Sequence, residues 1–188
     1  MAAALAAYTD EEMAKLDLVG MIDSEDDGGK SVLWQWVSGM GSRLTAEDTE
    51  KLIAATIPDL TFAEAYAKTG RQVSITVAPA EPHQRSRLLN AVSSPNVYLR
   101  SAEMASCAIP GVFPAVMLQA KNELGESQPY LPARRWVDGS VADDLPAKRL
   151  SRLFSTNHYI VSMVNPIARA FLPRDDKVRP LGQAATSL

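Results

Sequence analysis

Residues Arg135 to Pro146 read RWVDGSVADDLP, and Asp138 within them is the residue best placed to do chemistry. Trp136 and Val137 are strand-type residues, and Gly139 permits a sharp bend that leaves Asp138 at a strand end, where α/β enzymes place catalytic groups. A carboxylate there can act as a general base toward a second residue. A lone Asp-Gly pair is also an ordinary turn former, so the bend alone assigns no function. Few other residues could join such a site. His83 and His158 are the only histidines and Cys107 is the only cysteine. His83 sits in the loop EPHQRS and His158 in the run NHYIVSMVN, and two isolated histidines do not make a clustered metal site. A Ser-His-Asp esterase using one of them stays open as an alternative. Cys107 has no locally patterned histidine to activate it, and a single cysteine excludes an internal disulfide and a cysteine-built zinc site. No metal or cofactor is expected.

Two glycine-containing stretches fail as nucleotide or nucleophile motifs. GGKS at 28–31 falls short of a phosphate-binding loop because position 24 is Ser24 rather than glycine. GMGSR at 39–43 matches neither a dinucleotide fingerprint nor a G-x-S-x-G nucleophile elbow.

The elements that must position Asp138 are read from caps and periodicity. MAAALAAY is an alanine-rich helix that starts without a capping residue. Thr9 with Glu12 forms a capping box for a helix through about Val19, followed by the acidic loop DSEDDGGK and a helix over SVLWQWVSGM. On that helix Trp34 and Trp36 are two residues apart and do not face together. Thr45 opens a helix through about Ile57, and Thr61 with Glu64 opens a short one that Gly70 stops. Arg71 to Ala78 alternates as a strand, Asn96 to Arg100 is a short extended piece, and Ser101 caps the helix AEMASCAI, which Pro110-Gly111 ends. Val116 to Ala120 and Tyr130 to Val137 read as strands around the loop KNELGESQP. Asp143 and Asp144 read as turn and N-cap residues for the helix PAKRLSRLF, with a further strand over NHYIVSMVN. Strands separated by helices indicate an α/β or α+β layered fold.

Composition narrows the function classes. A chain of 188 residues with 46% hydrophobic residues can bury a real core. The net charge of −3, with lysine and arginine spread along the chain, argues against a nucleic-acid partner. No apolar run reaches the roughly 20 residues of a membrane-spanning helix, which predicts a soluble or membrane-peripheral chain. MAAALAAY lacks the basic region of a signal peptide.

Two further signatures in order carry a family resemblance. SPNVYLRSAEMASCAIPGVFPAVML, followed by RRWVDGSVADDLPAKRLSRLF, resembles the C-terminal half of a patatin-like phospholipase domain, with bacterial members and fungal triacylglycerol lipases as the nearest kinds. ASCAIPGVFP matches the family's A-S-x-A-x-P-x-x-F-P segment, and Asp138-Gly139-Ser140 stands where the family has D-G-G or D-G-A. The resemblance covers roughly residues 1 to 167. It implies a three-layer α/β acyl hydrolase fold, with residues 1–170 as a partial domain and 171–188 as a polar tail.

The same resemblance implies a Ser-Asp dyad in which Asp138 accepts the serine's proton and no histidine takes part. Its substrate would be a lipid ester at a membrane or lipid-droplet surface. Ile109, Val112, Phe113 and Val116 would form an apolar wall for the acyl chain. Trp136 and Val137 would desolvate the aspartate in part. The family's serine lies on a G-x-S-x-G turn, and this sequence contains none. In the family, the segment that resembles MAAALAAYTDEEM leaves the nucleophile elbow. The first strand, the glycine-rich oxyanion loop and the elbow are therefore expected upstream of Met1, and the isolated chain is expected to be inactive. A non-catalytic remnant serving as an interaction module is the alternative from another class.

Overall fold

Capping boxes account for two of the six described helices. The computed structural model describes residues 2–15, 46–81, 83–141 and 145–161. Helix α1 (Ala2–Ala7) buries Ala3, Ala4, Ala6 and Ala7, side chains small enough to let it lie close to its neighbours. The carbonyls at its end are taken up from a distance: Thr69 Oγ1 donates to the Ala6 carbonyl at 2.7 Å, and the Arg71 guanidinium donates to those of Leu5 and Tyr8 at 2.9 and 3.0 Å. Thr9 and Glu12 make the expected capping box for α2 (Asp10–Met13), which passes into a turn. The rest of that expected helix lies outside the described residues. So do the loop at 23–30 and the helix expected to carry Trp34 and Trp36.

Helix α3 (Ala46–Thr56) and helix α4 (Phe62–Thr69) follow. Thr61 and Glu64 form the second capping box, and Gly70, at φ 69°, closes α4 in the left-handed conformation that glycine adopts without strain. Glu64 also accepts from Lys121 Nζ at 2.5 Å. Burial works to raise the Glu64 carboxyl, but the hydrogen bonds from Lys121 and Thr61 outweigh it and hold the group below its ordinary value.

Strand β1 (Ser74–Pro79) is central, between β2 (Arg87–Asn90) and β5 (Trp136–Asp138), and both pairings are antiparallel. The strand expected from Arg71 starts at Ser74 because Arg71 is drawn to the carbonyls of α1. Strand β2 was not foreseen. Helix α5 (Leu99–Cys107) packs on β1 and β5, while α1 packs against α4 and α5. Trp136, Phe62, Leu89, Leu99, Leu118 and Val77 are the largest hydrophobic side chains wholly inside. This mixture of helices and strands fits the expected α/β class.

Several expectations need correction. Ser101 does not cap α5; Tyr98 holds that position without a side-chain cap, and Ser101 Oγ instead accepts from the Gln119 amide at 2.7 Å. Val116 to Ala120 is reduced to β3 (Gln119–Lys121), with Val116 in an isolated bridge to Trp136. Tyr130 to Val137 is not one strand: β4 (Ser127–Pro129) pairs with β3, and a turn at Leu131, with φ 53°, intervenes before β5. Helix α6 (Ala147–Phe154) forms where expected, but Pro146 occupies its N-cap position. Asp143 and Asp144 lie outside the described residues. Residues 157–161 do not pair as a strand, and the remainder of that expected strand is also outside them.

Candidate active site around Asp138

Strand β5 is held on both edges, and this fixes Asp138. On one side Val77 pairs with Asp138 and Pro79 with Trp136. On the other, Trp136 and Val116 exchange two backbone hydrogen bonds of 2.8 Å, and the Asp138 amide donates to the Ala108 carbonyl at 3.0 Å. The ASCAIPGVFP and WVDGS segments, separate in sequence, thus meet through Ala108 and Asp138. Trp136 is fully buried with the Arg87 guanidinium 5.7 Å from its ring centre, and Val137 is half-buried beside it.

The Asp138 carboxylate is gripped by Ser140. The Ser140 amide donates to Oδ1 at 3.0 Å, and its hydroxyl donates to Oδ2. Each carboxylate oxygen keeps acceptor capacity for a further proton donor. Gly139, which joins the two residues, is required for a reason other than the anticipated bend. Its φ is not positive, but a Cβ placed on it would meet the backbone and methyl of Thr76 at 2.5 Å. Ser140 belongs to the motif expected from the sequence, but its hold on Asp138 and the packing of Thr76 against Gly139 are not evident there. For Ser140 the signal was its hydroxyl, where the family carries glycine or alanine.

Cys107 lies at the end of α5, beside the same site. Burial pushes its thiol up to about 11; the charges of Glu103 and Asp138 add to the rise, and the positive charge at the amino terminus opposes it. The protonated thiol is a poor nucleophile, so alkylation by iodoacetamide at mildly alkaline pH is expected to be slower in native than in urea-unfolded protein. A raised folded-state value contributes stability below the ordinary 9.0 that is lost as pH rises toward about 11. Cys107→Ala is expected to flatten that alkaline loss in denaturant titrations.

The loop bearing His83 leaves the sheet at the Trp136 end, away from Asp138, and both His83 and His158 are exposed. Among the described residues, neither histidine is a hydrogen-bond partner of Asp138, and no group of three potential metal ligands occurs. No described helix is long and apolar enough to cross a membrane. A cavity of about 530 Å³ opens between α3 and α5, next to Cys107 and Ala108, and Phe113 and Val116 line it. Ile109 and Val112 are not in that lining; they form the turn preceding Phe113, where Val112 is 67% exposed.

Comparison with known proteins matches residues 1–151 to the family model described as patatin-like phospholipase. The chain belongs to the patatin-like phospholipase family. Triacylglycerol lipase SDP1L of Arabidopsis thaliana is 45% identical over 136 residues, covering 66% of this chain and 17% of the relative. A patatin-like phospholipase domain-containing protein of Aspergillus oryzae is 35% identical over 175 residues, covering 91% and 24%. Triacylglycerol lipase 4 of Saccharomyces cerevisiae is 46% identical over 110 residues, covering 57% and 12%. The chain therefore spans about a quarter or less of the length of these patatin-like relatives.

Proposed function

We propose that this chain carries the aspartate half of a lipid acyl ester hydrolase, of the phospholipase A or triacylglycerol lipase type, working through a Ser-Asp dyad. The observation that carries the reading is the grip of Ser140 on Asp138 at the end of a strand tied to Ala108. In the reaction an Asp138 oxygen takes the serine's proton while the serine oxygen attacks the ester carbonyl. That proton passes to the departing alcohol, leaving an acyl-enzyme. Water then gives a proton to the same carboxylate as its oxygen attacks the acyl carbonyl, and that proton returns to the serine oxygen as the fatty acid leaves. Two donors from Ser140 hold the carboxylate in one orientation for both steps, so the base does not have to be ordered during the reaction.

The serine would come from a G-x-S-x-G turn on an elbow outside these residues, which with a first strand completes the three-layer fold. Residues 1–170 would then be the later part of the domain and 171–188 a polar tail. Phe113 and Val116, flanked by Ile109 and Val112, would receive the acyl chain of a substrate presented at a membrane or lipid-droplet surface. The names of the triacylglycerol lipase relatives favour a neutral triacylglycerol ester, and the family's description favours a phospholipid.

The absence of a G-x-S-x-G motif from residues 1–188 also favours a second reading, a non-catalytic interaction module. The two separate in one assay. The 188-residue chain is expected to cleave a nitrophenyl ester no faster than background, lacking both the attacking atom and the oxyanion donors. Extended by a segment bearing the family's serine turn, it is expected to turn over and to be labelled by a fluorophosphonate. Inhibitor-sensitive turnover by the short chain would reveal a nucleophile within it. An extended chain that neither reacts nor labels would support the interaction module.

A further inference from the structure

Helix α6 is strongly amphipathic, yet none of its residues is buried. Leu153 is 47% exposed, Ile160 beyond the helix is fully exposed, and Val161 beside it is also exposed. An apolar face left open in this way needs an occupant, and the charge pattern indicates which. From Leu145 to Val161 the sequence holds Lys148, Arg149 and Arg152 and no aspartate or glutamate, in a chain whose net charge is −3. Lys148 and Arg152, four residues apart, project from one side of the helix.

The geometry around them is built rather than incidental. Arg149 donates to the Ser86 carbonyl at 2.7 Å and to its hydroxyl at 2.9 Å, fastening α6 to the approach to β2. The Tyr159 hydroxyl lies 2.8 Å from the Ala147 carbonyl and 3.1 Å from that of Thr156, folding the following segment back along the helix. Between them is a shallow recess of about 510 Å³ whose polar lining includes Lys148, Ser151, Arg152, Thr156 and Asn157, with no carboxylate among the described residues that line it. Two cations with neutral hydrogen-bonding side chains suit an anionic phosphoester.

We propose that α6 and residues 155–161 form a docking surface for a membrane containing anionic lipids. A bilayer interface places negative headgroups directly above an apolar layer, and this surface sets exposed Leu153, Ile160 and Val161 beside its basic recess. A free anion would engage the recess but leave those apolar side chains in water. The docking surface goes beyond the ester chemistry proposed above and does not depend on it, because vesicle binding is read without turnover.

The test is co-sedimentation of the chain with phosphatidylcholine vesicles, with and without phosphatidylserine. Binding is expected only when phosphatidylserine is present and should weaken with salt. Lys148→Gln with Arg152→Gln should weaken it about 30-fold, from about fivefold per basic residue. Both residues are exposed, so their thermal unfolding should match the parent, and Ile160→Asp should weaken binding independently of charge on the recess. Equal binding to neutral vesicles, or a double variant that binds as the parent does, would overturn the proposal. So would a dimer broken by Ile160→Asp in a chain that binds no vesicles, since a second copy would then be the occupant.

Discussion

Asp138→Asn, made in a polypeptide that also carries the family's G-x-S-x-G turn, is expected to lower ester hydrolysis by roughly 10²–10⁴-fold, the loss typical of a removed general base. The substitution keeps the size of the side chain and leaves its backbone amide on Ala108. The amide oxygen can still accept from Ser140, so the side chain stays oriented. What disappears is the ability to accept a proton from serine or water. Lipid binding should persist, because Phe113 and Val116 are untouched. His83→Ala and His158→Ala should each leave the rate within a few fold, as both rings are exposed and neither bonds the aspartate. The measurement is kcat/KM on a nitrophenyl ester for variants whose unfolding transitions match the parent. Silencing by His158→Ala with most activity kept in Asp138→Asn would replace the dyad by a Ser-His-Asp arrangement.

The sequence made the helices far easier to read than the sheet. Thr61 and Glu64 are three residues apart, and Thr9 and Glu12 likewise, so each capping box is a local signal that needs no knowledge of the rest of the chain. Strand β2 has no such signal. Its sequence, RLLN, lacks β-branched residues, and its extended form is imposed by pairing with β1 and ended by Asn90, whose side chain accepts from the Val92 and Ser93 amides. The break at Leu131 was equally hidden, because its positive φ belongs to the turn between β4 and β5, where the Arg134 amide donates to the Leu131 carbonyl, rather than to any preference of leucine.

At the site the same division holds. That an aspartate would stand at a strand end was legible from Trp136-Val137-Asp138-Gly139. The Ala108 carbonyl that fixes its backbone lies 30 residues earlier, and only folding brings the two together. The hold of Ser140 on both carboxylate oxygens depends on the tight turn over Gly139–Val141, which composition does not encode. The acyl wall illustrates the limit of reading a short apolar run as a surface. Ile109, Val112, Phe113 and Val116 are close in sequence, but the turn after α5 directs only Phe113 and Val116 into the cavity.

Gly139→Ala is expected to destabilise the folded chain by about 3 kcal/mol, the upper end of the usual cost of overpacking. The added methyl carbon would sit 2.5 Å from the Thr76 carbonyl carbon, its oxygen and its Cγ2. A flexible side-chain tip could move aside at small cost, but two of these atoms belong to the backbone of the central strand. Relief requires β1 and the turn after β5 to separate, which strains the pairing of Val77 with Asp138. Gly139 has no positive φ, so the penalty comes from contact rather than from the backbone conformation of alanine. The methyl contact and the backbone contacts can be told apart by pairing Gly139→Ala with Thr76→Ser, which removes the first but leaves the second. Only a minor part of the lost stability should return in the double variant. Urea unfolding of the four proteins measures this directly. An alanine variant with the parent's midpoint and slope would mean that the sheet can open at this point, and the turn would then not be the rigid support that holds Asp138.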